Sequence, residues 1–539
     1  MLRNNKLLEK IILGLVFLVF ASLVFKDVFS TRTLIPNLEP YPDSIHYINS
    51  SFSFLKGHGF IIEREGRFVP PTVPPLYSIV LTPLFLIKPD ARMFYFTNLI
   101  LSFASLFLMY KILKKITDNI LIVGFLLFLY VTNYFIYWYP TIPMAENLTL
   151  TLFLGAVYLI SGTISNLNLS LAAILTVALY FTKYASLPLT LSFAAAFFIK
   201  IFLDGRSRDL TIKNSLKFFL FLITAFLPFY FYDLFIRKTD TVTTVLKHIP
   251  GLFNIESPTS SSEKVLNPYF STNYFSENLK TYSGSLIGKP MRFLWDNTPM
   301  VTSWMGFMGL IGLLAGLFEK RLRVMAISLI LSLVSAIVFL SNFYVADGRY
   351  FYHAIPAIII GMAILLSRLE LKINNFKVLT LILIVLFAFY SFSNFQRLKY
   401  QVSLNLRHAE TPWYYVSVVN LNDYFKEEKP DDKPVVISAL PPYYVDFFSN
   451  KNYTLLPLSK NQEFPSIREQ VWGPNDYSNL INLYKKYLME GKELYVNNYG
   501  LGNEQPLHDD YDLIKKEFTL QKVKDGCDGA CDTFRVNLK

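Results

Sequence analysis

The feature that most limits the fold of this chain is a series of apolar runs, each close to the length a lipid bilayer demands. A spanning helix needs roughly 20 apolar residues, with 17–25 tolerated, because backbone polar groups inside hydrocarbon must bond within their own segment. Runs near 8–25, 92–112, 118–138, 147–162, 168–182, 185–203, 214–236, 299–318, 323–344, 351–367 and 378–393 approach that length. The whole sequence of 539 residues is 53% hydrophobic and 17% charged, where a soluble domain has about 25% charged residues. A disordered chain, a fibrous repeat and an ordinary cytosolic enzyme are excluded. The pattern is that of a polytopic α-helical membrane protein.

Charge separates a second part. Residues 395–539 hold 18 Lys and Arg against 20 Asp and Glu, whereas residues 1–394 hold 33 against 20. The tail has the charge density of a globular domain. The basic excess belongs to the membrane part, where it reads as topology and headgroup contact. No basic stripe lies on a soluble module, as a nucleic-acid partner would require.

The basic clusters also orient the spans. The first run follows Arg3 and Lys6, contains Lys10 and lacks a small-residue cleavage site, so it is expected to be an uncleaved helix with a cytoplasmic N-terminus. The run Pro75–Ile87 has about 13 residues, too few to cross. With that run excluded, Lys111, Lys114 and Lys115, then Lys200, Arg206, Arg208, Lys213 and Lys217, then Lys320, Arg321 and Arg323, then Arg368, Lys372 and Lys377 all fall on cytoplasmic turns. The expectation is about 11 spans, with residues 395–539 outside and two long outer loops at 26–91 and 237–298.

The tail reads as a small α/β domain. β-rich runs at Val435–Leu440, Tyr453–Leu458, Glu493–Asn498, Phe518–Val523 and Thr533–Asn537 flank an amphipathic stretch, Tyr477–Glu490. That alternation suggests a largely parallel sheet covered by helices. It contains no GxGxxG, P-loop or G-x-S-x-G. The only cysteines, Cys527 and Cys531, lie here. Their spacing is no zinc signature without further ligands, and an extracytoplasmic tail permits a disulfide between them.

Polar residues in the membrane part gather at its expected outer face. The first loop carries Tyr41-Pro42-Asp43-Ser44-Ile45-His46-Tyr47, then Gly57-His58-Gly59-Phe60, then Pro74-Pro75-Leu76-Tyr77. Glu146 follows the third span, Lys183 ends the fifth, and Asp347, Arg349 and Tyr350 lie between the ninth and tenth. Each has a plain alternative role. Interfacial Lys and Arg snorkel to headgroups, a Glu at a helix start favours the dipole, and an Asp after proline caps a turn.

Their order nonetheless resembles the GT-C superfamily of glycosyltransferases, in particular the protein O-mannosyltransferases and lipid A aminoarabinose transferases. Asp43 resembles the acidic motif after the first span of those enzymes. Pro74-Pro75 resembles the Pro-Pro element that opens a short helix. Lys183 resembles the Lys of a Leu-Thr-Lys turn, and Arg349-Tyr350 with Pro356 resembles a late Arg-Tyr…Pro element. Many relatives carry Asp-Glu where this chain has Asp43-Ser44, and Lys or His where it has Val73.

The resemblance implies a GT-C-like catalytic domain over 1–394 followed by a soluble domain outside, which the β-rich runs over 395–539 make an extracytoplasmic α/β domain. It implies hexosyl or pentosyl transfer, with inversion, from a polyprenyl-phosphate donor to an extracytoplasmic glycan, lipid or protein; the richness in Phe, Tyr, Ile, Asn and Lys points to a bacterial plasma membrane. Asp43 would be the base. Lys183 and Arg349 would hold the donor phosphate. Glu146, His46 and Tyr350 would serve the acceptor, the sugar or a divalent cation, whose ligands the resemblance leaves open. Two other classes remain at this stage: a transporter or flippase of lipid-linked or small solutes, and a non-catalytic envelope assembly protein.

Overall fold

Apolar runs in a chain with so few charges bury their backbone bonds as helices, and the computed structural model is helical wherever such a run occurs. It describes residues 6–26, 42–64, 67–69, 71, 73–204, 207–235, 272–293, 296–343, 345–373, 376–406, 413–428, 433–439, 453–460, 475–499 and 505–539. The chain divides into two compact units. The first comprises Met1–Asp27, Phe54–Phe60 and Thr72–Arg407, and the second Val28–Ser53, Ile61–Pro71 and His408–Lys539.

In the first unit the main helices are Lys6–Val24, Phe94–Ile116, Ile120–Val131, Glu146–Ile160, Asn166–Thr182, Leu187–Asp204, Arg208–Phe235, Ser303–Gly316, Arg323–Leu340, Ala354–Ile373 and Phe376–Leu406. Each of the eleven apolar runs is therefore helical. Among the described residues six helices are long and apolar enough to cross a bilayer alone, and Ile120–Val131 with the segment Tyr134–Thr141, bent by 62°, makes a seventh. Glu146–Ile160, Asn166–Thr182 and Ser303–Gly316 are apolar but shorter. This is a multi-pass membrane protein. The run at Pro75 forms the helix Leu76–Ile87, with Pro83 inside it. Its 12 residues rise only about 18 Å, against roughly 30 Å of hydrocarbon.

The closest helix pairing is between Ser303–Gly316 and Ala354–Ile373. A Cβ on Gly312 would lie 1.8 Å from the Gly361 carbonyl oxygen, and one on Gly361 would lie 2.1 Å from that of Gly309. The two backbones touch, which only small residues permit, and close backbone approach is how helices associate in lipid. Outward faces remain apolar: Phe219, Leu220 and Phe231 on Arg208–Phe235, and Leu381, Ile384 and Phe392 on Phe376–Leu406, are exposed.

Of the expected second long loop, residues 237–271 and 294–295 lie outside the described residues, as does Tyr41 of the first. The remainder of the second loop contains a helix, Phe275–Ser285, and an antiparallel hairpin, Pro290–Phe293 with Asp296–Pro299.

In the second unit the described strands of the tail fall where the β-rich runs are, with Leu440 outside the described residues. They form one five-stranded sheet in the order Thr454–Pro457, Val435–Ser438, Leu494–Asn497, Thr533–Leu538, Phe518–Lys524. The first three pair in parallel, but the last two join antiparallel, so the sheet is mixed. The reason is loop length: the eight residues between Lys524 and Thr533 close a hairpin and are too few for a parallel crossover. Val435–Ser438 and Leu494–Asn497 are buried throughout, as strands covered on both faces must be. Helices Trp413–Glu428, Leu480–Met489 and Gln505–Glu517 accompany the strands. Cys531 is buried and disulfide-bonded, and Cys527 is the chain's only other cysteine.

Candidate active site

Glu146 is the first residue of the helix Glu146–Ile160, and its side chain is completely buried. The approach to it is fixed from two directions. Tyr77 donates to Asn98 Oδ1 at 2.7 Å, and Asn98 Nδ2 donates to the Ile142 carbonyl at 2.6 Å, which holds the strand of chain leading into the helix. From another helix, the Tyr352 hydroxyl donates to the Glu146 carbonyl.

Lys183 ends the helix Asn166–Thr182. Its extended backbone (φ −158°, ψ 123°) turns the chain into a short 3-10 segment, Tyr184–Ser186. Its Nζ lies 2.5 Å from Glu146 Oε1, with the lysine side chain 12% exposed. The same ammonium approaches the Arg349 carbonyl at 3.5 Å and stands 4.7 Å from the centre of the Tyr350 ring.

Arg349 belongs to the short helical turn Gly348–Phe351, capped by Asp347, whose Oδ1 accepts from the Arg349 N–H at 2.9 Å. Gly348 is required there, since a Cβ would come within 2.6 Å of the Phe135 ring. The guanidinium stands 4.6 Å from the Tyr350 ring centre and donates from Nη2 to the Tyr350 hydroxyl, while Nε lies 3.9 Å from Asp347 Oδ2. The helix Phe275–Ser285 supports this turn. Asn278 Nδ2 donates to the carbonyls of Ser341 and Phe343, and the Tyr282 hydroxyl accepts from the Asp347 N–H. Burial raises the Asp347 carboxyl above its ordinary range, and the Arg349 guanidinium pulls it the other way.

Four of the residues singled out in the sequence, Glu146, Lys183, Arg349 and Tyr350, therefore form one cluster at the ends of three helical elements. Two cations share one tyrosine ring, and each has a carboxylate beside it. That arrangement suits a phosphate, to which the ammonium offers a point charge and the guanidinium a planar fork. Glu146 Oε2 has no hydrogen-bond donor among the described residues.

Asp43 and His46 lie on the helix Pro42–Leu55, in the part of it that belongs to the second unit. Asp43 sits half-buried in the first turn, and His46 lies buried one turn later on the same face. Among the described residues no group of three or more His, Cys, Asp or Glu is placed to hold a metal ion.

Sequence reasoning did not find Tyr352, Tyr282, Asn278 or the Tyr77–Asn98 pair as supports, because each acts through a partner distant in the chain. It also passed over Asp233, completely buried near the end of Arg208–Phe235. The signal for that residue was present, since an ionisable group within an apolar span is a functional candidate by default.

No protein-family model and no curated protein sequence matches the chain. Solved structures do. The crystal structure of ArnT from Cupriavidus metallidurans bound to undecaprenyl phosphate superposes with a TM-score of 0.58 at 12% identity, covering 97% of each chain. Its apo state gives 0.57 at 11%, again over 97% of each. The archaeal oligosaccharyltransferase AglB from Archaeoglobus fulgidus, in complex with an inhibitory peptide and a dolichol-phosphate, gives 0.56 at 10%, over 99% of this chain and 74% of that one. At this identity the likeness establishes the fold alone, which this chain shares with ArnT and with AglB.

Proposed function

We propose that this protein is a membrane glycosyltransferase that moves a sugar from a polyprenyl-phosphate-linked donor to an acceptor hydroxyl at the outer membrane face. The observation that carries the reading is the pairing of Lys183 with Arg349 over Tyr350. It occurs in a fold shared with proteins solved with undecaprenyl phosphate and dolichol-phosphate. The positive clusters on alternate turns support a cytoplasmic N-terminus, eleven crossings and an external tail.

In this mechanism the acceptor oxygen attacks the anomeric carbon as the bond from that carbon to the phosphate oxygen breaks. A single displacement inverts the centre. The acceptor proton passes to the Asp43 carboxylate, and the bonding electrons leave with the lipid phosphate. That phosphate is already a fair leaving group, so the principal demand is cations that hold its charge in the transition state. Lys183 and Arg349 supply them. Tyr350 keeps the two at a common distance from one ring.

The test is transfer in detergent from a polyprenyl-phosphate sugar to an envelope extract, comparing wild type with Asp43→Asn. The amide keeps the shape of the carboxylate and removes the proton acceptor. General base catalysis supplies about 10²–10⁴-fold, so transfer should slow at least ~100-fold while lipid binding persists. Wild-type-like transfer by Asp43→Asn would remove the base assignment.

A further inference from the structure

We infer that Glu146 governs release of the spent lipid phosphate, by competing with it for Lys183. The inference rests on the proposed role of Lys183 and Arg349 in holding that phosphate.

Lys183 pairs with Glu146, and Arg349 stands beside Asp347. The two carboxylates differ in what they do. Asp347 caps the turn that carries Arg349, so its place in the local fold is accounted for. Glu146 caps nothing. Nor is it needed to keep Lys183 in place, because the Arg349 carbonyl and the Tyr350 ring also hold the ammonium, and the Lys183 N–H bonds to the Leu179 carbonyl at 3.4 Å. Yet its side chain is completely buried, with one oxygen at 2.5 Å from Lys183 and the other without a donor among the described residues. A buried, half-satisfied carboxylate is costly, and a neutral side chain of the same shape would cost less. The charge itself must therefore matter.

The reaction shows how. The donor is a phosphodiester with one negative charge. When the bond from the anomeric carbon to the phosphate oxygen breaks, the lipid phosphate becomes a monoester carrying between one and two charges at neutral pH. A pair of cations alone would hold this product more tightly than the donor and delay the next turnover. A fixed carboxylate beside Lys183 opposes both, but it opposes the more highly charged product more strongly, because Coulomb energy scales with the charge. Glu146 thus lowers product affinity more than donor affinity and returns Lys183 to its resting partner.

The experiment compares Glu146→Gln with wild type, using polyprenyl phosphate as the product probe and the corresponding polyprenyl-phosphate sugar as the donor probe. Product should bind about tenfold more tightly to the variant and donor about threefold, as their charges dictate. Turnover should fall, and a burst of the first product should appear because release has become slow. A merely structural role for Glu146 would weaken binding of both. Product affinity that is unchanged or weaker, or a donor gain equal to the product gain, overturns the inference. If Glu146→Gln fails to fold, Glu146→Asp carries the test: it keeps the charge and withdraws it by one methylene, so product should tighten severalfold, and equal or weaker binding refutes the role. Should wild type bind no polyprenyl phosphate, the lipid-phosphate reading itself falls. Wild-type binding without a gain in the variants removes only the release role.

Discussion

Replacing Lys183 by Met tests the cluster most directly, because it separates what the lysine does for folding from what it does for the ligand. Lys183 and Glu146 form a buried pair, 12% and 0% exposed at 2.5 Å. Removing one partner of such a pair leaves an uncompensated charge in a medium of low dielectric, which costs about 3–5 kcal/mol. Lys183 retains a little solvent contact, so the lower end, about 3 kcal/mol, is the expected loss. Neutralising the orphan should reverse part of it. Lys183→Met with Glu146→Gln should regain ~1–3 kcal/mol over Lys183→Met alone, the coupling expected of groups in direct contact. Activity should not follow stability, because the double variant still lacks a cation for the phosphate. Stability is read by SDS titration in mixed micelles, and transfer by the detergent assay with a polyprenyl-phosphate sugar. A Lys183→Met protein within ~0.5 kcal/mol of wild type would show that the pair is not a buried ionic contact. A double variant that regains activity along with stability would show that Lys183 supports only the fold.

Three further outcomes follow from the same geometry. Arg349→Ala should lower kcat/KM for the donor at least tenfold, about 1.4 kcal/mol, and Arg349→Lys should restore only part of it, because an ammonium lacks the fork that reaches both Tyr350 and a phosphate. Full activity of the Lys variant would refute that. Because burial raises the pKa of Asp347 in the folded protein, the folded state binds that proton more tightly than the unfolded chain, and stability should fall as pH rises from about 3.9, the ordinary Asp value, through the raised one. Asp347→Asn keeps the capping oxygen but has no such slope, so its stability difference from wild type should change across unfolding titrations from pH 4 to pH 7, whereas parallel curves would refute the shift. Gly312→Ala, whose Cβ would meet the Gly361 carbonyl at 1.8 Å, should cost about 1–3 kcal/mol, whereas Gly124→Ala, which meets the Cγ2 methyl of Ile12 at 2.4 Å rather than backbone, should be milder; equal losses on thermal unfolding would undo that distinction.

The helices were legible in the sequence because bilayer length and apolarity are local properties. Runs such as 323–344 and 378–393 overlie Arg323–Leu340 and Phe376–Leu406 with errors mainly at the ends. The second of these shows why ends are hard to read. The helix continues beyond the apolar run through Arg397 and Lys399 to Leu406, and charges that stop a hydropathy window do not stop a helix. Within this helix Arg397 meets the Thr298 hydroxyl at 2.8 Å and the Tyr134 ring at 4.4 Å, two partners far off in the chain. The tail illustrates a different limit. Short β-rich runs located the strands, but pairing direction depends on connection length, and the eight-residue link before Thr533 decides it.

The site was legible as a set of exceptions and illegible as a set of pairs. A Glu, a Lys and an Arg at the ends of separate apolar runs stand out because lipid tolerates few such groups. No sequence pattern says that Lys183 meets Glu146 across 37 positions, or that both cations come to rest on the ring of Tyr350. Read singly, each residue admits a plain role: a lysine can snorkel, and a glutamate can simply favour a helix dipole. Pairing changes that weighing. A snorkelling lysine keeps its ammonium in water, whereas the Lys183 ammonium lies against a completely buried carboxylate. A glutamate that served only the dipole could remain solvated, whereas Glu146 is completely buried, with only one oxygen bonded among the described residues. Both departures cost free energy that folding does not require, and the economical explanation is a ligand whose charge the cluster is built to take up and to surrender.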